Sequence, residues 1–273
     1  TDGATIVSAQ LDLSAFQLSN RGGRLVQDSS GDLKLDLVGA LDNRSGNIVG
    51  SGNVVLSVSE LNNDLGSILA NGQLRLSSPG HLDNGRGTLG ANAGLQIEVA
   101  SLSNAGLIDG GVTVLRFIAN EGSINGSASS GGNLDNGGNI AGNAAAQSGL
   151  VNRGGIGGSA SAGANLSNSG QIGGDALAGA ALVNAGRIGG SATAGADLSN
   201  QGLIAGSVLA GAKLVNDGQV GGSAVAGSKL SNSGSIGGWA QAGSDLFNDG
   251  QLSGSALAGA NLTNSGQIGG FAQ

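Results

Sequence analysis

Residues 182–197 read LVNAGRIGGSATAGAD, and residues 198–213 read LSNQGLIAGSVLAGAK. The two stretches agree at the leading leucine, at an asparagine two residues later, at a glycine four residues later and at an isoleucine six residues later. On both sides of these stretches, the same four positions recur with a period of sixteen from Leu102 onward without an insertion, with only Leu, Ile or Val at the apolar ones. Self-similarity at a fixed short period is the signature of a repeat fold.

The repeat can be written L-x-N-x-G-x-I-x-G-x-A-x-A-G-x-x, in which odd positions are apolar or small and even positions vary. This period of two is typical of extended chain with one buried face. Sixteen residues are too few for a pair of helices, and so much glycine would weaken a helix. Each repeat is therefore predicted to be a coil of short strands stacked on the next, at a spacing of roughly 4.8 Å.

Longer units of the same kind precede Leu102. Those that begin at Leu41 and Leu82 are twenty residues long, the one at Leu61 is one residue longer and the one at Leu18 is three residues longer. The sequence thus predicts an all-β fold, a single right-handed parallel β-helix (β-solenoid) of about 15–16 coils. Wider coils of twenty to twenty-three residues are expected over residues 1–101, and narrower 16-residue coils over residues 102–273, continuous with the first.

Composition and charge narrow the class of protein further. Glycine accounts for 56 of 273 residues and aromatic residues for 2%, which excludes a core of large side chains. The net charge is −7 and no basic cluster is present, so nucleic acid is not an expected partner. No apolar run is long enough to span a bilayer as a helix.

The recurring asparagine is interpreted as a structural ladder rather than a row of ligand-binding groups. Stacked asparagines at a solenoid corner can hydrogen-bond one coil to the next and satisfy turn amides. In the 16-residue coils the predicted ladder comprises Asn104, Asn120, Asn136, Asn152, Asn168, Asn184, Asn200, Asn216, Asn232, Asn248 and Asn264.

No catalytic, cofactor-binding or metal-binding residue is predicted. His81 is the only histidine, the chain has no cysteine, and His81 is interpreted as a displaced loop residue of the 21-residue coil. Coils without an insertion leave no place for an active-site cleft, so neither an enzyme nor a small-molecule substrate is expected.

A candidate partner surface is formed by aromatic residues at outward positions. Trp239 and Phe271 replace the usual serine of one row, two coils apart, and Phe247 is outward in another row. Exposed aromatic side chains can stack on sugars or anchor a protein partner. The alternative is that these residues pack on a neighbouring segment or are tolerated at the surface.

The segments LDNRSGNI (residues 41–48) and LDNGRGTL (residues 82–89) resemble the repeats of filamentous haemagglutinin-type exoproteins, a group that includes adhesins and the stick-like toxins of contact-dependent growth inhibition. The resemblance covers about residues 18–117, and the 16-residue coils keep only its L-x-N-x-G-x-I half. It implies a very large virulence-type protein, secreted to the cell surface of a Gram-negative bacterium by two-partner secretion.

The expected function is that of a shaft segment, which extends a distal binding or toxin domain from the cell. The resemblance implies an outer-membrane two-partner secretion transporter as a partner of the whole protein, and a host or target-cell receptor bound through regions outside this segment. Two alternatives stay open. The surface of the solenoid could itself be an adhesin for glycan or protein, or the chain could be a bactofilin-like self-polymerising scaffold.

Overall fold

The computed structural model describes residues 2–273, which contain strands and turns and no helix. Accordingly, no helix in this range could span a membrane. The chain forms two compact units, Thr1–Asn143 (the first unit) and Ala144–Gln273 (the second unit).

The first unit is built from short strands that follow one another around successive coils. Its strands are β1 (Thr5–Ser8), β2 (Asp12–Ala15), β3 (Leu18–Ser19), β4 (Arg24–Gln27), β5 (Leu33–Leu37), β6 (Ala40–Asp42), β7 (Asn47–Gly50), β8 (Val54–Ser57), β9 (Glu60–Asn62), β10 (Ser67–Ala70), β11 (Gln73–Asp83), β12 (Thr88–Ala91), β13 (Gly94–Asn104), β14 (Leu107–Asp109), β15 (Val112–Asn120), β16 (Ser123–Ile124), β17 (Ala128–Ser130), β18 (Asn133–Asn136) and β19 (Asn139–Ile140).

Strands of the first unit pair in parallel with their counterparts in the adjacent coils. One column runs β1, β4, β7, β10, β12, β14, β16 and β19, which makes eight coils. The register pairs Leu61 with Leu82 and Leu82 with Leu102, but Leu102 with Ile118. The coil therefore shortens from twenty-one and then twenty residues to sixteen, as the spacing of the asparagines in these coils also shows.

Three coils of the first unit lack a break at one corner. There β11, β13 and β15 each run through both arcs as one strand of 11, 11 and 9 residues. The register shifts at that corner, between Ser78 and His81 in the first pairing and between Val99 and Ser101 in the second. Such irregularities bend a strand where a coil must turn.

The second unit repeats three short strands per coil. Its strands are β20 (Ala144–Ala146), β21 (Leu150–Asn152), β22 (Gly155–Ile156), β23 (Ala160–Ala162), β24 (Leu166–Asn168), β25 (Gln171–Ile172), β26 (Ala176–Ala178), β27 (Leu182–Asn184), β28 (Arg187–Ile188), β29 (Ala192–Ala194), β30 (Leu198–Asn200), β31 (Leu203–Ile204), β32 (Val208–Ala210), β33 (Leu214–Asn216), β34 (Gln219–Val220), β35 (Ala224–Ala226), β36 (Leu230–Asn232), β37 (Ser235–Ile236), β38 (Ala240–Ala242), β39 (Leu246–Asn248), β40 (Gln251–Leu252), β41 (Ala256–Ala258), β42 (Leu262–Asn264) and β43 (Gln267–Ile268).

Every pairing in the second unit is parallel and joins positions one repeat apart. The three columns are represented by Leu182 with Leu198, Ile188 with Ile204, and Ala192 with Val208. The column from β22 to β43 has eight members, so this unit also has eight coils.

The interior of each coil follows from the alternation in the sequence. Leu182, Ile188 and Ala192 are fully buried, whereas the intervening Val183 and Arg187 face outward and are exposed. Small residues occupy the Ala-x-Ala arc, where alanines such as Ala192 and Ala194 are buried. Because protein interiors are close-packed, only small side chains are expected there.

These findings confirm the predicted all-β fold of parallel strands stacked as a β-solenoid with about sixteen turns. The right-handed sense of the coils and the division of the chain at residue 102 remain predictions.

Candidate functional site

Buried asparagines form a hydrogen-bonded ladder at one corner of each unit. In the second unit, the Nδ2 of Asn168 donates to Oδ1 of Asn184 at 2.7 Å, and the Nδ2 of Asn184 donates to Oδ1 of Asn200 at 2.8 Å. All bonds of this type from Asn152 to Asn264, and from Asn104 to Asn136 in the first unit, measure 2.7 or 2.8 Å. The first-unit ladder also includes Asn20, Asn43, Asn63 and Asn84, in the wider coils.

Each amide of the ladder has further partners on the backbone. The Nδ2 of Asn184 also lies 3.3 Å from the carbonyl oxygen of Gly186 in its own coil and 3.4 Å from that of Leu203 in the next. All amides within a ladder point the same way, so their dipoles align and successive hydrogen bonds polarise one another. Burial of this polar group is tolerated because its donors and acceptor are used.

A second ladder, at another corner, was not predicted from the sequence. In this ladder, the side-chain oxygen of a serine in one coil accepts a hydrogen bond from the backbone N–H of the equivalent residue in the next coil. Ser191 Oγ accepts from Ser207 at 3.2 Å, and Ser207 Oγ accepts from Ser223 at 3.1 Å. A Cβ on Gly222 would lie 2.3 Å from Ser207 Oγ, which explains the glycine before each ladder serine. The recurring Gly-Ser pair was the available signal.

A third corner uses asparagine or aspartate as the acceptor. Asn165 Oδ1 accepts the backbone N–H of Ala181 at 3.1 Å, and Asp197 Oδ1 accepts that of Lys213 at 3.0 Å. Amide and carboxylate oxygens are interchangeable at this exposed corner, because only an acceptor is required.

Replacing Ser207 with alanine is expected to lower the free energy of unfolding by about 0.5–1 kcal/mol, because the N–H of Ser223 loses its acceptor. Urea unfolding followed by circular dichroism measures the change. Ser167→Ala is the matched control, since Ser167 is an exposed outward residue of strand β24. Equal midpoints for the two variants would contradict a stabilising role for the serine ladder.

Two residues of the predicted partner surface lie in the serine row. Trp239 donates its backbone N–H to Ser223 Oγ at 3.2 Å, and Phe271 donates to Ser255 Oγ at 3.1 Å. The side chain of Trp239 is 45% exposed, and Phe271 occupies the equivalent outward position. The row therefore places two outward aromatic residues two coils apart, with a serine between them.

Phe247, the third predicted surface residue, lies elsewhere. It pairs with Ser231 and Thr263 in the column that contains the asparagines. Its side chain is only half-exposed, and the Nζ of Lys229 lies 4.0 Å from the ring centroid. This cation–π contact occupies one face of the ring. Because Phe247 lies in a different column, the structure does not bring it together with Trp239 and Phe271.

His81 lies within strand β11, immediately after the register shift, and not in a loop as predicted. At this corner Ser78 Oγ donates to the carbonyl of Ser59 and accepts the N–H of Gly80. The Nδ1 of His81 lies 2.9 Å from Ser101 Oγ in the next coil, at the exposed surface. Among residues 2–273 no three His, Asp or Glu side chains are grouped closely enough to hold a metal ion.

A small charged network lies on the surface of the first unit. Hydrogen bonds from the Arg44 guanidinium, and also from Arg21, hold the pKa of the Asp42 carboxyl below its usual range. The contact with Asp42 in turn raises the pKa of Arg44. Because Asp42 keeps its charge at all ordinary pH values, this pair is part of a solvated surface rather than an acid–base site.

A shallow groove of about 590 Å³ lies along the asparagine corner of the second unit, although the uninterrupted coils predicted no cleft. The residues that line it include Gly218 and Gly234 as well as the polar Asp217 and Gln219. The groove exists because glycine leaves space between two rows of longer side chains. It brings no histidine to its acidic and amide groups.

Stacked coils of parallel strands and side-chain ladders at the corners define this chain as a β-solenoid repeat protein. A stretch of 72 residues, 26% of the chain, is 43% identical to "Toxin CdiA" of Yersinia pestis. The matched stretch is 2% of that relative, so the chain spans only a small part of its length. No family model matches the sequence, and no solved structure matches it.

The match and the solenoid architecture together fit a repeat shaft of the CdiA or filamentous haemagglutinin type.

Proposed function

We propose that this chain is a structural shaft segment of a large secreted adhesin or contact-dependent inhibition toxin of a Gram-negative bacterium. In this role it extends a distal binding or toxin domain from the cell surface. The observation that carries the proposal is the register of the second unit, in which each residue pairs with the equivalent residue of the next repeat across eight coils. A structure of this kind gains length by repetition and gives each added coil the same neighbours.

The same register supports a route of export. Each coil hydrogen-bonds only to the coils beside it, so a chain that emerges unfolded can add one coil at a time. We infer that an outer-membrane two-partner secretion transporter delivers the whole protein, and that its receptor is bound by regions outside this segment. The similarity to "Toxin CdiA" supports the assignment.

Deletion of residues 182–213 from the full-length protein tests the shaft role. This segment is two complete coils, so its removal leaves the ladders in register and is expected to shorten the filament by about 9.6 Å. The variant is expected to be exported as well as the parent protein, and to retain the parent's adhesion or growth inhibition of target cells. Electron micrographs measure the filament length, and a target-cell assay measures the adhesion or inhibition.

Deletion of residues 182–189 is the matched control. Removal of half a coil places the next leucine and asparagine on the wrong arc, so this variant is expected to be degraded or retained. If the two-coil deletion is exported and folded but abolishes adhesion and inhibition, the segment has a specific role and the shaft proposal is wrong.

A further inference from the structure

The row that contains Trp239 and Phe271 departs from its own pattern at one coil. From Ser191 to Ser223 each side chain accepts the next backbone N–H, and Ser223 accepts that of Trp239. An indole has a donor but no acceptor, so the ladder bond to the next coil is interrupted at Trp239. The backbone N–H of Ser255 is the group that loses its ladder acceptor.

Folding alone gives little reason for this exchange. A serine would continue the ladder, as it does in the preceding coils. The tryptophan instead leaves 45% of its side chain exposed to water. A residue that breaks a local structural rule without a compensating gain in packing indicates a functional constraint.

The geometry of the row adds a defined spacing. Trp239 and Phe271 are separated by two coils, about 9.6 Å at the usual spacing of parallel strands. Ser255 lies between them, where its hydroxyl accepts from the N–H of Phe271 and keeps its own proton to donate. Two aromatic side chains thus lie on either side of a hydroxyl donor, the O–H of Ser255.

We propose that Trp239, Ser255 and Phe271 form a binding site for a neutral, extended β-1,4-linked glycan chain that lies parallel to the solenoid axis. In such a chain alternate sugars present the same face, so its disaccharide repeat corresponds to two coils. The C–H faces of two alternate sugars stack on the two aromatic rings. The intervening sugar accepts a hydrogen bond from the Ser255 hydroxyl through one of its own hydroxyl oxygens.

Charge decides between classes of glycan. The net charge of the chain is −7, and the row from Ser191 to Phe271 contains only serine, tryptophan and phenylalanine. A sulfated or carboxylated glycan would find no cation in this row and would be repelled by the protein as a whole. A neutral chain has no such penalty. The proposal stands independently of the shaft role, because the two-coil deletion above retains all three residues of the site.

The test uses the 273-residue chain, in which Trp239 is the only tryptophan and therefore reports on its own site. Titration with cellohexaose and with chitohexaose is expected to change its fluorescence with a saturable profile for at least one of the two sugars. Maltohexaose, whose α-linkages curve the chain, and a heparin hexasaccharide are expected to have no effect. The variant Phe271→Ser keeps the reporter and is expected to bind about tenfold more weakly.

Phe247→Ser is the matched control, because it removes an aromatic residue from a different row, and it is expected to bind as the parent does. Circular dichroism verifies that both variants are folded. The proposal is overturned if neither β-1,4-linked sugar changes the emission of Trp239, if maltohexaose or heparin binds equally well, or if Phe271→Ser binds with unchanged affinity.

Discussion

Replacing Asn184 with aspartate is expected to lower the free energy of unfolding of the second unit by about 3–5 kcal/mol at pH 7. Asn184 is fully buried, and its Nδ2 is a donor to Asn200 Oδ1 and approaches the carbonyls of Gly186 and Leu203. An ionised carboxylate in its place would face three acceptors with no proton to share. Only the donor on its other side, Asn168 Nδ2, would still match.

The loss is expected to depend on pH. Burial among acceptors raises the pKa of the introduced carboxyl above its unfolded value of about 3.9. The neutral form can donate one O–H to Asn200, so the variant is most stable below the unfolded pKa. Its stability falls as the pH rises through the folded pKa, because the unfolded state then releases the proton more readily. Urea unfolding at pH 4 and pH 7 measures the difference.

Asn165→Asp is the matched control for this variant. Asn165 is exposed and serves only as an acceptor for Ala181, and Asp197 already occupies the same position two coils later. Its stability is expected to change by less than about 0.5 kcal/mol between the two pH values. A decrease of equal size in both variants would show that added negative charge, and not the buried ladder, is responsible.

The sequence predicted those features of the fold that depend on a repeated apolar pattern. Leu182, Ile188 and Ala192 alternate with outward residues, and this alternation, repeated in every coil, defines both the strands and their register. The asparagine row could be located for the same reason. The common direction of the amide hydrogen bonds could not be predicted. A single coil does not show whether its asparagine Nδ2 donates to the preceding coil or to the following one.

Other features depend on contacts between coils that the sequence presents only indirectly. The serine ladder joins a side chain to a backbone group one full coil away, as from Ser207 to Ser223, and neither residue is apolar. The strand through His81 depends on a local shift of register, which composition does not reveal. Lys229 directly precedes strand β36, two residues before the pairing partner of Phe247, but its contact with the ring depends on side-chain conformations that the sequence does not show.

Replacing Gly202 with alanine is expected to destabilise the second unit by about 3 kcal/mol. A Cβ at this position would lie 2.0 Å from the carbonyl oxygen of Gly186 in the preceding coil. That oxygen accepts the backbone N–H of Leu203 at 2.9 Å and also a bond from the Nδ2 of Asn184 at 3.3 Å. The carbonyl cannot move aside without weakening both bonds, so the added methyl group must separate the two coils.

Gly221→Ala is the comparison that isolates this cause. A Cβ there would also approach a carbonyl, at 2.2 Å from the oxygen of Ala205. However, the same row of the protein already contains Ala205 and Ser253, so its backbone can accommodate a side chain. The expected loss is below about 1 kcal/mol, and urea midpoints of the two variants measure the difference.

Equal losses of stability in the two variants would mean that the distance from the added Cβ to a carbonyl decides the cost. The expected inequality would mean that the asparagine ladder makes its corner rigid, and that glycine recurs there because the ladder holds the carbonyls in place.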